Sequence, residues 1–125
     1  MKFFESRSDF PRNSAVLDCP SHLFETVLTA VPKREKKPVA GGARAQMQEI
    51  LRQLDQELYS VGADRTYIIS VKLHLKHLKR DLAAVDKVYA EYFDDHRPDR
   101  AVYGVDLQPG LLIEAEFVAT VPVYQ

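Results

Sequence analysis

Arg97 and Arg100 flank Pro98 immediately before a predicted strand, and Glu114 and Glu116 fall on one face of the last predicted strand. Arginine is suited to gripping an anion, and glutamate to orienting water or moving a proton. On spacing alone each reads as an ordinary surface residue, solvated or ion-paired. The histidines are His22, His74, His77 and His96. His74 and His77 stand three apart but straddle a strand-to-helix junction, which argues against a shared metal. Cys19 sits at a turn with no basic neighbour in sequence and reads as a structural thiol rather than a nucleophile. Lys33, Arg34, Lys36 and Lys37 crowd one loop. Glu35 interrupts them and no aromatic is interleaved for base stacking, so they read as solvated rather than as a phosphate or RNA contact. The chain has no Gly-rich phosphate loop, GxSxG elbow, HExxH or paired CxxC.

These residues must be positioned by a short series of elements. Little can be read from residues 1–10 beyond edge pairing around Phe3 and Phe4. Residues 15–18 read as a short strand, and residues 22–31, rich in Phe, Thr, Val and Leu, as its hairpin partner. Residues 32–42 form a loop with two prolines and two glycines. Over residues 43–61, Met47, Ile50, Leu51, Leu54 and Leu58 recur at three- and four-residue steps, the stripe of an amphipathic helix, with Gly62 at its end. Tyr67, Ile69, Val71, Leu73 and Leu75 alternate with Ile68, Ser70, Lys72 and His74, which predicts a strand with one apolar face. A second helix spans residues 78–93, with Leu78, Leu82, Val85, Tyr89 and Tyr92 inward. Strands over 101–106 and 111–121 follow, joined through Gln108-Pro109-Gly110. The order is β-β-α-β-α-β-β. Right-handed crossovers put both helices on one face of a single mixed sheet and leave the other face bare, which predicts an oligomer.

Composition bounds the class. The chain has 125 residues, 17 Lys and Arg against 18 Asp and Glu, 46% hydrophobic and 28% charged residues. That fits one domain over 1–125 and excludes disordered, collagen-like and disulfide-rich readings. The formal charge of −1 argues against a nucleic-acid partner. The single cysteine, the absence of an apolar run of about 18 residues and the acidic residues Glu5 and Asp9 near the N-terminus point to a cytoplasmic protein with no membrane span.

Longer motifs carry a resemblance. Val85-Asp86-Lys87-Val88-Tyr89-Ala90-Glu91-Tyr92-Phe93, followed by His96-Arg97-Pro98-Asp99-Arg100, is similar to the V-N-x-V-Y-x-x-F-F run and R-P-A-R turn of the Rid family of YjgF-like reactive-intermediate deaminases. Leu112-Ile113-Glu114-Ala115-Glu116-Phe117-Val118-Ala119 resembles the closing strand, V-E-I-E-A-I-A, and Gln46 stands at the Q-T-x-Q-x-L position of the first helix. The likeness covers residues 12–121, most strongly after Gly41. It implies a chorismate-mutase-like α+β fold, a homotrimer with clefts between subunits, and hydrolysis of enamines or imines such as 2-aminoacrylate to 2-keto acids and ammonia. No metal or cofactor is implied. Arg100 matches the arginine that holds the substrate carboxylate, which a planar guanidinium can grip with two parallel hydrogen bonds. Glu116 matches the glutamate that positions the attacking water.

Other positions depart from the pattern. The family's S-G-Q becomes Thr29-Ala30-Val31, the N-terminal tyrosine falls near Arg12, the helix asparagine is Asp86, and the cysteine two residues after the arginine is Val102. Arg12, Thr29, Ala30, Asp86 and Val102 are therefore candidate substrate-binding positions. The departures keep a second reading open, a non-catalytic trimer that binds small carboxylates in the same cleft. RNA cleavage, also attributed to some members, finds little support in the charge balance.

Overall fold

The computed structural model of the chain describes residues 21–122. The expected strand at 15–18, Cys19 and Arg12 lie outside the described residues. Within them the order is β1 (Ser21–Thr29), α1 (Gly42–Ser60), β2 (Ile68–Leu75), α2 (Leu78–Phe93), β3 (Asp99–Gly104) and β4 (Ile113–Pro122), with a short 3-10 turn at Arg65–Tyr67. The fold is α+β. Its four strands form one mixed sheet in the order β1-β4-β2-β3. β4 runs antiparallel to both β1 and β2, and β3 lies parallel to β2 across the α2 connection.

Both helices lie against the same face, as the crossover rule requires. The stripe of α1 buries Met47, Ile50, Leu51, Leu54 and Leu58. These meet Phe24 and Leu28 of β1, Val71, Leu73 and Leu75 of β2, and Ile113, Ala115 and Phe117 of β4. From α2 come Val85, Val88, Tyr89 and Phe93. Leu78 and Tyr92 pack against the core while only partly buried, Leu82 is also only partly buried, and Val88 and Phe93 join the buried set. Each fully buried large side chain contributes roughly 1.5–3 kcal/mol. Exposed pairs such as Glu49–Arg52 add little by comparison. Packing therefore decides where the helices sit.

Helix ends follow backbone chemistry. Past α1 the chain turns at Gly62, whose φ of 75° suits a residue without Cβ. α2 ends at Asp94, a non-glycine residue at φ 51°, and the Arg97 Nε donates to the Asp94 carbonyl at 2.9 Å. Arg97 is thus engaged in closing a helix. At Pro109-Gly110 the Leu111 N–H donates to the Gln108 carbonyl at 3.0 Å with Gly110 at φ 88°, the pattern of a type II turn.

Two expectations are corrected. Tyr67, Ile69 and Val71 do not share a face, because the β2–β4 register shifts between Ile68 and Ser70. This bulge sends Ile68 into the core at 1% exposure and turns Ile69 out at 45%. β3 also begins earlier than expected. Parallel pairing of Val71 with Arg100 takes Arg100 into the strand rather than leaving it in the turn before it.

The face away from the helices is bare among the described residues. It carries Val27, Lys72, His74, Tyr103, Glu114 and Glu116.

Candidate functional site

The register separates the two residues expected to act together. Arg100 pairs with Val71, a core residue, so its side chain leaves β3 on the helix side. There the guanidinium lies 4.8 Å from the centre of the Tyr89 ring and forms an ion pair with the Asp86 carboxylate, both on α2. The Arg100 side chain remains 28% exposed. Tyr89 supports the turn as well, its hydroxyl donating to the Pro98 carbonyl at 3.5 Å. Burial pushes the Tyr89 phenol above its usual range, with Arg100 and Arg97 pulling the other way. Tyr89 is therefore a neutral platform for the cation at ordinary pH.

Glu116 lies on the opposite, open face. It alternates with the core residues Ala115 and Phe117, and pairs with Lys72 on β2 and Val27 on β1. The His74 Nε2 stands 3.6 Å from Glu116 Oε2, and the His74 ring stacks on Tyr103 with centroids 5.5 Å apart. Two open hollows of about 520 and 600 Å³ share Lys72 and Glu116 in their walls. Glu25, Val27 and Ser70 lie on the first, and His74, Tyr103 and Val105 on the second. In a single chain, Arg100 and Glu116 face away from each other across the sheet.

The remaining candidates fall into the same two groups. Thr29 pairs with Glu114 on the open-face side of β1, and its carbonyl accepts from Gln53 Nε2 at 3.1 Å. Ala30 is wholly buried, and its carbonyl accepts from the Val39 N–H at 2.9 Å. Asp86 and Val102 belong to the helix side, Val102 packing against the core. Sequence reading gave Lys72 and Tyr103 no role and weighed His74 only as a metal ligand. Alternation puts Lys72 and His74 on one face of β2, but only the strand register brings them to Glu116. Among the described residues no group of three or more His, Cys, Asp or Glu is gathered to hold a metal ion. No helix among them is long and apolar enough to cross a membrane.

Comparison with known proteins supplies the relationship. The family model described as Endoribonuclease L-PSP matches residues 26–121. A RutC family protein of Pyrococcus horikoshii is 33% identical over 107 residues, covering 85% of this chain and 84% of its own. The 2-iminobutanoate/2-iminopropanoate deaminase of Homo sapiens is 32% identical over 82 residues, 65% of this chain and 59% of its own length. Among solved structures, YyfA of Yersinia pestis, described as a member of the conserved Rid protein family, superposes with a TM-score of 0.72 at 22% identity. That superposition covers 81% of this chain and 80% of the other, and carries the fold. With the matched segment running from β1 through β4, and with Arg100 of the R-P-x-R turn on β3 and the E-x-E residues on β4, the chain belongs to the Rid (YjgF-like) family, the Endoribonuclease L-PSP group.

Proposed function

We propose that the protein hydrolyses enamine or imine intermediates of the 2-aminoacrylate type to 2-keto acids and ammonia, in clefts between copies of the chain arranged as a trimer. The observation that carries this reading is the seating of Arg100. Its guanidinium is braced on Tyr89 at the edge strand of the sheet, yet part of it still faces outward. A carboxylate arriving from outside meets a cation already ordered on its inner side. The name of the human relative, a 2-iminobutanoate/2-iminopropanoate deaminase, supports the same substrate class.

Arg100 and Glu116 lie on opposite sides of one sheet, so one chain cannot close the site. Arg100 of one copy meets Glu116 of a neighbour whose open face packs beside the β3 edge. Such packing also covers the bare face. Arg100 holds the substrate carboxylate and fixes the C=N carbon in place. Glu116 orients a water, accepts its proton as oxygen bonds to that carbon, and returns a proton to nitrogen. Glu116 then takes the carbinolamine hydroxyl proton and passes it to nitrogen as C=O forms and the C–N bond breaks; ammonia departs and the keto acid remains. Once an enamine has taken a proton at its methylene carbon and lost one from nitrogen, the resulting imine is an electrophile, so orientation and proton transfer suffice.

A second reading has its own observation. The ion pair between Asp86 and Arg100 partly satisfies the cation, which favours a trimer that binds carboxylates without turning them over.

The test couples freshly generated 2-aminoacrylate to keto-acid detection for wild type, Arg100→Ala and Glu116→Gln. Acceleration that disappears in both variants while the oligomer survives supports hydrolysis. No acceleration over buffer, together with calorimetric binding of 2-ketobutyrate, supports the binding reading instead.

A further inference from the structure

We propose that His74 is a positioning residue for Glu116, drawing its carboxylate into the water-orienting geometry; this rests on the deaminase reading. The inference begins with the alternation of β2. Val71, Leu73 and Leu75 are committed to the core, so Lys72 and His74 must lie on the open face. The antiparallel register then sets Lys72 opposite Glu116 and His74 opposite Glu114. His74 turns toward Glu116, with its Nε2 3.6 Å from Oε2. Its ring is held from the other side by Tyr103, its register partner on β3, at an interplanar angle of 27°. An imidazole clamped between an aromatic ring and a carboxylate has its edge aimed at that carboxylate.

The chemistry gives this contact work to do. Hydrolysis of C=N requires a proton taken from water, a second taken from the carbinolamine hydroxyl as C=O forms, and protons delivered to the departing nitrogen. Glu116 must therefore return to its carboxylate form within each turnover. A cationic imidazole beside a carboxylate favours that form. The charged and titratable groups facing His74 are Lys72 on its own strand, Tyr103 on β3, and Glu114 and Glu116 on β4. A purely structural role predicts something different, because the stack on Tyr103 needs a ring and no charge.

The experiment measures kcat and KM for 2-aminoacrylate hydrolysis from about pH 5 to 8 in wild type, His74→Phe and His74→Gln, after melts confirm that both variants fold. Phenylalanine keeps a ring for Tyr103. Glutamine keeps a polar contact with Glu116 but carries no charge. The expected result is a fall in kcat on the order of tenfold in both, smaller than the loss of a direct acid–base group, with KM changed less than about twofold. The advantage of wild type should be greatest at the acid end of that interval and shrink toward pH 8. If one variant fails to fold, the other gives the same reading. A His74→Phe enzyme with wild-type kcat and pH profile overturns the assignment alone, as does a His74→Gln enzyme with both intact. A wild-type protein that does not outpace buffer overturns the deaminase reading and this assignment together.

Discussion

Asp86 of α2 and Arg100 of β3 form an ion pair on the helix side of the sheet, with Tyr89 beneath the guanidinium. An aspartate there adds a charge that asparagine lacks, and it competes with any incoming carboxylate for the same cation. Asp86→Asn keeps the shape and a hydrogen-bonding oxygen while removing that competition. The expected outcome is about two- to fivefold tighter binding of 2-ketobutyrate by calorimetry, the scale of a partly exposed ion pair. Stability should change little. Unaltered affinity in Asp86→Asn would show that the carboxylate does not bind at Arg100.

The open sheet face offers a direct test of assembly. Val27 is 56% exposed in the isolated chain, beside Glu116 in the register. If a neighbour covers it, Val27→Asp buries an unpaired charge, which is strongly disfavoured. We expect wild type to sediment at three times the chain mass and Val27→Asp to shift toward monomer, losing turnover with it. A variant that stays trimeric and active would place the contact elsewhere.

Much of the framework was legible in local patterns. Met47 to Leu58 repeat every three or four residues and Ile113 to Val121 alternate, because each buries one face against a continuous surface. α2 was placed at residues 78–93 for the same reason. Ile69 misled because its orientation depends on a bulge set by pairing with β4, a contact outside its own segment. Arg100 and Glu116 were legible as residue types through family likeness. Their placement on opposite faces follows from the parallel β2–β3 register, which no local pattern encodes. His74 was weighed only as a metal ligand, since its partners Tyr103 and Glu116 come from two other strands.

Gln46 joins the first helix to the distant loop before β4. It is buried, its Nε2 donates to the Gly110 carbonyl at 2.9 Å, and its Oε1 accepts from the Leu112 N–H at 2.8 Å. Gln46→Leu preserves the volume but strands those two backbone groups. A loss of about 2 kcal/mol is expected from urea unfolding, since a buried unsatisfied group costs roughly 1–3 kcal/mol. A loss under about 0.5 kcal/mol would mean that water reaches these groups after substitution.

Asp64 ties stability to pH at the entrance to β2. Its carboxylate accepts from the Thr66 hydroxyl and from the Thr66 N–H at 2.8 Å, capping the 3-10 turn. Those bonds, the hydroxyl's first, hold its ionisation below the ordinary value of 3.8. A carboxylate whose folded value is depressed adds stability that is fully present above its unfolded value. That stability is lost as pH falls through the folded value. The melting temperature should therefore hold steady from neutral pH down to about 5 and decline below about 4. Other carboxylates contribute, among them Glu49, lowered chiefly by its bond to Arg52. Asp64→Asn isolates this one: it should melt lower than wild type at pH 7 and converge on it near pH 3, because the protonated aspartic acid and the amide then cap the turn equally poorly. Parallel curves across that interval would assign the acid sensitivity to other groups.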